Sequence, residues 1–304
     1  MTLSEFRYIV AVAKELHFGR AAEKCFVSQP TLSVAVRKLE EELGIILFER
    51  HQHEISITPI GEAVIKQAEL ILNETNSLKE IAKQNENELK GDLKLGVIYT
   101  IGPYLLPKLI PVINKQASGL TLIIEEDFTK ILTTKLKSGD IDIAILSNPF
   151  KESGISTELL YKEPFQVALP SGHSLAKKKK LKASDLSSDT MLLLKAGNCF
   201  REQIVELCPS CVNPLGTNKT MQKTLESSSI ETIRQMVAAG VGITILPSLS
   251  IDTQTGLNNL LEYRPFNNPV PYREIIIAYR KSFPRMKAVE LIKESIASCK
   301  LVLA

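Results

Sequence analysis

The sequence predicts an all-α N-terminal domain with a long helix behind it, followed by a C-terminal α/β domain of two lobes. Three observations lead to this fold class. Apolar residues recur at helical spacing through the first 90 residues. From Gly91 onward, strand patterns alternate with helix patterns, as in parallel α/β units. A chain of 304 residues is also long enough for two or three domains.

The composition excludes several classes of protein. The chain is 44% hydrophobic and 23% charged with a net charge of +3, which excludes disorder as its bulk state. No window approaches about 18 uncharged apolar residues, and the N-terminus lacks the apolar core of a signal peptide. We therefore expect a cytoplasmic protein without a membrane segment. Five cysteines are too few for a disulfide scaffold, so any disulfide would be transient and regulatory.

The N-terminal region contains a helix-turn-helix pattern. Helical spacing begins near Leu3, a short second helix is predicted over 20–25, and a third over 30–43. Ser28 can cap the third helix, whose first residue is a proline, and Gly44 can end it. A helix, a short turn and a well-capped second helix are typical of this motif.

Residues 45–58 change period and predict a small β-hairpin, the wing of a winged helix. A long helix is then predicted over residues 59–89, about 45 Å in length. Its narrow apolar seam favours a linker or a dimerising coiled coil, and a helix packed on its own domain is the alternative.

The α/β region begins after a hinge at 90–92. Strands are predicted over 92–100, 120–128 and 141–147, with helices over 103–117 and 129–139 between them. A second similar run starts with a strand at 163–170. It continues through residues 190–197, 199–208, 232–240, 241–247 and 273–280 to a final helix at about 284–298.

These patterns predict three parts of the chain. The first is a winged helix-turn-helix over 1–58, the second a linker or dimerisation helix over 59–90, and the third a regulatory domain over 91–304. Within the regulatory domain we expect lobe I at about 91–162 and 268–304, and lobe II at about 163–267.

Net charge does not identify a partner. Residues 1–90 hold 11 Lys and Arg against 14 Asp and Glu, whereas many nucleic-acid-binding domains are basic. Any interpretation as a DNA-binding protein must therefore depend on local arrangement.

Two motifs supply that arrangement. The run AAEKCFVSQPTLSVAVRKLEEELGIILFER, followed by TPIGEAV, closely resembles the winged helix-turn-helix of LysR-type transcriptional regulators. The rest of the chain resembles the effector domain of that family, two Rossmann-like lobes of periplasmic-binding-protein type. Residues 97–107, 192–208 and 231–247 are similar to its peroxide-sensing members. The resemblance covers essentially the whole chain.

The resemblance implies partners. They are double-stranded promoter DNA, hydrogen peroxide, RNA polymerase, further copies of the chain in a homodimer or homotetramer, and a thiol reductant such as glutaredoxin or thioredoxin. No cofactor or metal is expected, and no membrane.

A recognition helix presents one face and its N-terminal part to the major groove. On the predicted third helix, polar and basic side chains point away from the apolar face, and two more candidates lie on the wing. The candidate DNA-binding residues are Ser28, Gln29, Pro30, Thr31, Ser33, Val34, Arg37, Lys38, Arg50 and His51. The alternative is a surface helix of mixed charge.

Cys199 and Cys208 form the candidate redox site. If the segment between them is helical, their Cα atoms are about 13–14 Å apart, whereas a disulfide needs about 7 Å or less. Such a bond must therefore unwind or rebuild the segment. The resemblance implies this pair, with Cys199 as the peroxidatic thiol and Cys208 as the resolving thiol.

Four further residues belong to this candidate site. A helix N-terminus and Arg201 would favour a thiolate at Cys199. The resemblance implies that Thr100 and Thr129 help to hold peroxide, although a lone threonine at a strand end can simply cap a helix. Asn198 stands where the family usually has histidine, and an amide cannot shuttle a proton.

Cys211 leaves alternatives open. In the run Cys208-Pro209-Ser210-Cys211, a 208–211 bond or a 199–211 bond can compete with the 199–208 bond, and a segment without a redox role is a further alternative. One C-x-x-C is weak support for zinc. Cys25 and Cys299 are expected to be structural.

Two other functions compete with peroxide sensing. One is a LysR-type regulator that answers a small metabolite bound between the lobes. The other is a thiol peroxidase, against which the intact winged helix argues because an enzyme of that kind does not need a DNA-binding domain.

Overall fold

Two units make up the chain in the computed structural model, which describes residues 1–50, 55–83, 88–212, 225–227, 229–251, 259–299 and 301. The first unit comprises residues 1–86 with 137–139. The second comprises residues 87–136 with 140–304.

Three capped helices open the first unit. They are α1 (Leu3–Glu15), α2 (Phe18–Lys24) and α3 (Gln29–Leu43). The Ser28 hydroxyl caps α3 by accepting a hydrogen bond from the Thr31 N–H at 3.3 Å. Gly44 ends α3 with φ of +69°, a left-handed conformation that glycine adopts without strain. The predicted cap and the predicted C-terminal end are confirmed, and the helix begins one residue before its predicted start at residue 30.

Helix α2 begins two residues before its predicted start at residue 20. The reason is the imidazole of His17, whose Nδ1 accepts a hydrogen bond from the Arg20 N–H at 3.2 Å and so caps the helix. Sequence patterns indicate this position poorly, because histidine is not among the common N-cap residues.

The predicted apolar face of α3 is the core of the first unit. Leu32, Val36 and Leu39 are fully buried there, against α1 and α2. Glu40 connects α3 to the segment that follows it, because its Oε1 accepts hydrogen bonds from the backbone N–H groups of Leu47 and Phe48 at 2.8 and 3.1 Å. The end of the recognition helix is thereby fixed to the start of the hairpin.

The predicted hairpin is confirmed: β1 (Phe48–Arg50) pairs antiparallel with β2 (Ile55–Ile57). Its tip, residues 51–54, lies outside the described residues. Helix α4 (Pro59–Lys83) follows and packs on α1. Ile65 and Ala68 are buried, so part of the predicted seam belongs to the domain's own core.

The predicted end of α4 at residue 89 is wrong. Residues 88–90 form a turn that leads into the first strand of the second unit. Arg285 fixes this turn, since its guanidinium donates to the carbonyls of Glu88, Lys90 and Asp92 at 2.6–3.0 Å. A sequence pattern does not reveal such a distant partner.

The second unit starts with the predicted parallel α/β units, which are confirmed. Strand β3 pairs in parallel with β4 and β5, and helices provide the crossovers. The elements are β3 (Gly91–Ile98), α5 (Gly102–Gln116), β4 (Leu120–Asp127), α6 (Thr129–Ser138) and β5 (Ile143–Ser147).

Strand β6 (Ile155–Pro170) corrects the predicted strand at 163–170, because it is a single strand of 16 residues. Its first half pairs with β11 (Tyr272–Arg280), and its second half pairs with β9 (Thr244–Pro247) and β10 (Leu261–Pro265). The strand continues because both halves find partners from later in the chain.

The remaining elements comprise those around the second half of β6 and the C-terminal helix, which packs on α5. The strands β7 (Leu192–Leu194) and β8 (Leu225–Ser227) form a small parallel pair. The helices are α7 (Cys199–Leu207), α8 (Pro209–Val212), α9 (Ile230–Ala238) and α10 (Met286–Ser298), with short 3-10 turns at Ser174–Lys177, Ala183–Leu186 and Ser248–Ser250.

Two hydrophobic cores lie in the second unit, and strand β6 runs through both. The first core gathers β3, β4, β5, β11, α5 and α10, and the second gathers β7, β9, α7 and α9. Tyr104 packs against both. The predicted two-lobed α/β class is thereby confirmed, while the lobe boundaries near 163 and 268 stay predictions. Among the described helices, none is long and apolar enough to cross a membrane.

Candidate functional site

Cys199 is the first residue of helix α7. After β7 the chain turns at Gly197, whose φ of +91° is left-handed. The Asn198 side chain then caps the helix, because its Oδ1 accepts a hydrogen bond from the Phe200 N–H at 3.1 Å. The thiol is thus held at a helix N-terminus, where the backbone dipole favours an anion. Asn198 has a structural role here, which the sequence did not indicate.

A small cavity, about the size of one water molecule, opens beside the thiol. It is lined by Ile98, Tyr99, Asp127, Phe128, Thr129, Gly197, Asn198 and Cys199. The Thr129 hydroxyl is buried and has no hydrogen-bond partner within the described part of the chain. Buried hydroxyls are nearly always paired, so this group is available to a ligand in the cavity.

Thr100 does not line this cavity, but it is joined to a buried ion pair. Arg273 donates to the Thr100 hydroxyl at 2.8 Å and to its carbonyl at 3.1 Å. Arg273 Nε also donates to Glu163 Oε2 at 2.8 Å, and both side chains of this pair are fully buried. The other Glu163 oxygen accepts from the Leu249 N–H. Every charge in the network therefore has a partner.

Sequence reasoning missed Arg273 and Glu163. The Arg273 guanidinium lies 5.2 Å from the Phe200 ring centroid, so the network also reaches the residue after Cys199. The available signal was a pair of opposite charges, each at the edge of an apolar strand pattern. Arg201, which was predicted to lie near the thiol, has an ion pair with Glu202 at 3.7 Å.

Helix α7 is tied to both cores. Phe200 and Ile204 are buried in the second core, while Cys199 packs against the first. Gln203 adds polar ties to the end of β5, because its Nε2 donates to the Ser147 hydroxyl at 3.0 Å and to the Asn148 carbonyl at 2.8 Å. Any change in α7 therefore changes contacts with both lobes.

Cys208 and Cys211 form a disulfide, with Cα atoms 5.4 Å apart. This is one of the alternatives that the sequence left open. Cys199 is free, and α7 is intact between it and Cys208. An intact helix keeps these two residues too far apart to bond. The 199–208 pairing therefore stays a prediction about another state of the segment.

Cys25 and Cys299 lie outside the redox segment. Each is partly buried in a hydrophobic core, and burial raises the pKa of both thiols above the ordinary value. A thiol with a raised pKa contains little thiolate near neutral pH and reacts slowly with oxidants. Their chemistry agrees with a structural role.

The candidate DNA-binding residues of α3 lie on the surface of the first unit. Those exposed are Ser28, Gln29, Pro30, Thr31, Val34, Arg37 and Lys38, while Ser33 is half-buried. The Arg37 Nε donates to Glu41 Oε1 at 3.0 Å in an exposed pair. The backbone of Arg50 lies in β1, and His51 is outside the described residues.

Two family models match the chain. The helix-turn-helix of the LysR family of bacterial regulatory proteins matches residues 3–62. The LysR substrate binding domain matches residues 86–298.

Known proteins are similar over nearly the whole length. The "Hydrogen peroxide-inducible genes activator" of Dickeya chrysanthemi is 38% identical, covering 97% of this chain and 95% of its own. Full-length OxyR of Pseudomonas aeruginosa, with a Cys-to-Asp substitution, is 45% identical with a TM-score of 0.80, covering 99% and 96%. A hydrogen peroxide-bound Cys-to-Ser mutant of Corynebacterium glutamicum OxyR is 33% identical with a TM-score of 0.63, covering 98% and 92%.

Proposed function

Because the chain belongs to the LysR family of bacterial transcriptional regulators, within its OxyR group, we propose that it regulates transcription in response to hydrogen peroxide and controls oxidative-stress defence genes. The observation that carries this proposal is the cavity at Cys199. A thiol at a helix N-terminus and a buried Thr129 hydroxyl, which has no hydrogen-bond partner among the described residues, line the same small cavity. The C. glutamicum relative with bound hydrogen peroxide supports the same ligand.

The chemistry starts with the thiolate of Cys199. Its sulfur attacks one oxygen of hydrogen peroxide, the O–O bond breaks, and the other oxygen leaves as water after protonation. Cys199 becomes a sulfenic acid. The Thr129 hydroxyl holds peroxide by a hydrogen bond. Thr100 does not line this cavity, and its hydroxyl accepts a hydrogen bond from Arg273 at 2.8 Å.

The second step converts the oxidation of Cys199 into a change of structure. In its thiol form, Cys208 attacks the sulfenic sulfur of Cys199, a disulfide forms and water leaves. Helix α7 cannot hold both residues within bonding distance, so it must unwind. Unwinding releases Phe200, Ile204 and the Gln203 hydrogen bonds to the first lobe. The proposed switch thus acts on contacts between the lobes.

Asn198 restricts how protons can be transferred at this site. The amide caps α7 but cannot accept the proton of Cys199 or deliver one to the leaving oxygen. Water must supply that proton. We therefore expect a slower peroxide step than in family members with histidine at this position, and a pH profile without a histidine titration.

The output of the switch is DNA binding by residues 1–58 to double-stranded promoter DNA, with Arg37 and its exposed neighbours on α3 in the major groove. Residues 59–90 would dimerise, since Leu70 and Leu78 of α4 are exposed. Residues 91–304 would sense peroxide. A homotetramer, RNA polymerase as partner, reduction by a glutaredoxin or thioredoxin, and action in the cytoplasm complete the proposal.

A small metabolite is the second candidate ligand. A cleft of about 520 Å³ lies between α7 and the strands of the first core, lined by Asn148, Phe150, Gln203, Tyr272 and Glu274 among others. A ligand in this cleft would act on Gln203, whose hydrogen bonds join α7 to the end of β5. A family of regulators gives no support to the third candidate, a thiol peroxidase with turnover.

The test measures how the wild type and three variants bind a promoter DNA fragment before and after peroxide. Cys199→Ser should bind DNA as the reduced wild type does and lose the peroxide response, because a serine hydroxyl does not reduce peroxide. Thr129→Val should fold normally and oxidise about tenfold more slowly, the effect of losing about 1.4 kcal/mol of hydrogen bonding in the transition state. Cys299→Ser is the matched control.

Mass spectrometry of Cys199 is the direct measurement. A wild-type chain that keeps Cys199 as thiol at saturating peroxide, with unchanged DNA binding, would contradict the proposal. A response to a metabolite in that case would favour the cleft instead.

A further inference from the structure

The Cys208–Cys211 pair is a dithiol that the peroxide step does not require. Its C-x-x-C spacing is closed by a turn, in which the Cys211 N–H donates to the Cys208 carbonyl at 3.0 Å. The Cα atoms are 5.4 Å apart, within the range of protein disulfides. The backbone therefore brings these two sulfurs together without any change in α7.

The surroundings of the pair also favour proximity. Cys208 and Cys211 are 1% and 3% exposed and belong to the second core. The Ala183 carbonyl oxygen lies 3.3 Å from Cys208 Sγ and 3.9 Å from Cys211 Sγ. As thiols, both groups can donate to this one oxygen, which keeps the sulfurs adjacent in the reduced protein as well.

Two disulfides compete for Cys208, and they have different structural costs. The 199–208 bond requires α7 to unwind, which removes Phe200 and Ile204 from the second core. The 208–211 bond leaves α7 and its buried side chains in place. It also closes a shorter loop, which costs less chain entropy. Both differences favour the 208–211 bond over the 199–208 bond.

We propose that Cys208–Cys211 is a second redox site, which takes over the disulfide formed at Cys199 and returns Cys199 to a thiol while the chain stays oxidised. The inference rests on the proposed function, because the disulfide that it receives is the 199–208 bond made with peroxide.

The exchange balances without another reactant. Cys211 gives its proton to water, and its thiolate attacks Cys208 Sγ in the 199–208 disulfide. The 208–211 bond forms, the 199–208 bond breaks, and Cys199 leaves as a thiolate at the helix N-terminus. No electron enters or leaves, since peroxide removed both electrons in the earlier step. Helix α7 can then reform.

This site would limit the response in time. After the exchange, α7 has its unswitched shape, yet Cys208 is unavailable to resolve a second sulfenic acid on Cys199. The chain then answers peroxide again only after an external dithiol reduces the 208–211 bond. The signal ends without a reductant, and the reductant restores sensitivity.

Digestion with trypsin distinguishes the 199–208 disulfide from the 208–211 disulfide. Cys199 lies on the peptide 196–201, whereas Cys208 and Cys211 share the peptide 202–219. A 199–208 bond crosslinks the two peptides. A 208–211 bond leaves them unlinked, with the second peptide lighter by two hydrogens and Cys199 open to alkylation. Fragmentation locates the alkylated cysteine of a crosslinked pair and so separates 199–208 from 199–211.

The experiment follows the full-length reduced protein after one equivalent of hydrogen peroxide, quenched with acid and a thiol-alkylating reagent at successive times. The 199–208 crosslink should rise first and then decay as the 208–211 peptide appears and Cys199 becomes alkylated. In Cys211→Ser the crosslink should last at least tenfold longer, and its effect on promoter binding should last equally long. Cys299→Ser should follow the wild type.

The outcomes separate this inference from the proposed function. A wild-type crosslink that lasts as long as that of Cys211→Ser, or ends as 199–211, overturns the second site and leaves peroxide sensing intact. A Cys211→Ser protein that never forms the 199–208 crosslink overturns both.

Discussion

The helix-turn-helix, residues 18–44, and the redox segment, residues 197–212, are short helical stretches of one chain that are held in opposite ways. Helix α3 of the first has its caps, Ser28 and Gly44, at its own ends, and its core partners are the two helices before it. In the redox segment, the Asn198 cap is local, but Gln203 and Phe200 are held by residues from β5 and β11, more than 50 positions away.

This difference has a consequence for function. A motif held by neighbouring residues keeps its shape when a bond elsewhere in the protein changes, which suits a DNA-binding motif. A helix held by distant contacts loses them together when it unwinds, which suits a switch. Substitutions in the helix-turn-helix should therefore have local effects, whereas substitutions that disturb the redox segment should involve distant parts of the chain.

The largest expected effect comes from breaking the distant support of the redox segment. Arg273→Met leaves the Glu163 carboxylate buried without its cation, and we expect a loss of about 3–5 kcal/mol in the free energy of unfolding. Urea unfolding of the full chain measures this value. Removing both charges, with Arg273→Met and Glu163→Gln together, should recover part of the loss. A single variant as stable as the wild type would show that the network does not support the fold.

An intermediate effect is expected at the DNA-reading face. Arg37→Ala should weaken specific promoter binding by about 1–3 kcal/mol, the value of a good bidentate base contact, without a change in peroxide oxidation. Gel-shift titration on specific and random DNA gives both affinities. Glu41→Ala is the control, because it removes only the exposed partner of Arg37. Equal loss on both DNAs with a smaller salt dependence would assign Arg37 to phosphate, and no loss would remove it from the interface.

The smallest effect is expected at a local cap. Ser28→Ala removes the acceptor for the Thr31 N–H and should destabilise the start of α3 by about 1 kcal/mol. Amide hydrogen exchange in the first turn of α3 should become about fivefold faster, while exchange in α7 stays unchanged. Ser4→Ala, at an exposed position in α1, is the matched control. Faster exchange in α7 as well would contradict the independence of the two regions.

Particular elements show how far sequence patterns reach. The capped α3, the hairpin and the alternation of β3, α5, β4, α6 and β5 follow from neighbouring residues, and all were predicted. The early start of α2 and the long β6 were not. A histidine cap is an uncommon choice, and a strand of 16 residues depends on partners about 75 to 125 positions later in the chain.

The candidate site divides in the same way. Cys199, Cys208, Thr129 and the role of a helix between the cysteines came from the sequence and its resemblance to a family. The Arg273–Glu163 pair, the Gln203 ties and the capping role of Asn198 came from the structure. The Arg273–Glu163 pair and the Gln203 hydrogen bonds each join residues at least 50 positions apart. No periodic pattern in the sequence indicates such a pairing.

By itself, the sequence determined the class of each domain, because helix and strand patterns depend on local spacing, and its resemblance to a family singled out Cys199 and Cys208 as the candidate reactive thiols. Only the tertiary structure decided that Cys208 meets Cys211 while α7 stays helical, and that the buried Thr129 hydroxyl lines the cavity beside Cys199 with no hydrogen-bond partner among the described residues. The physical reason is that bonding and burial depend on distances between atoms, which the folded chain sets by packing distant segments against one another.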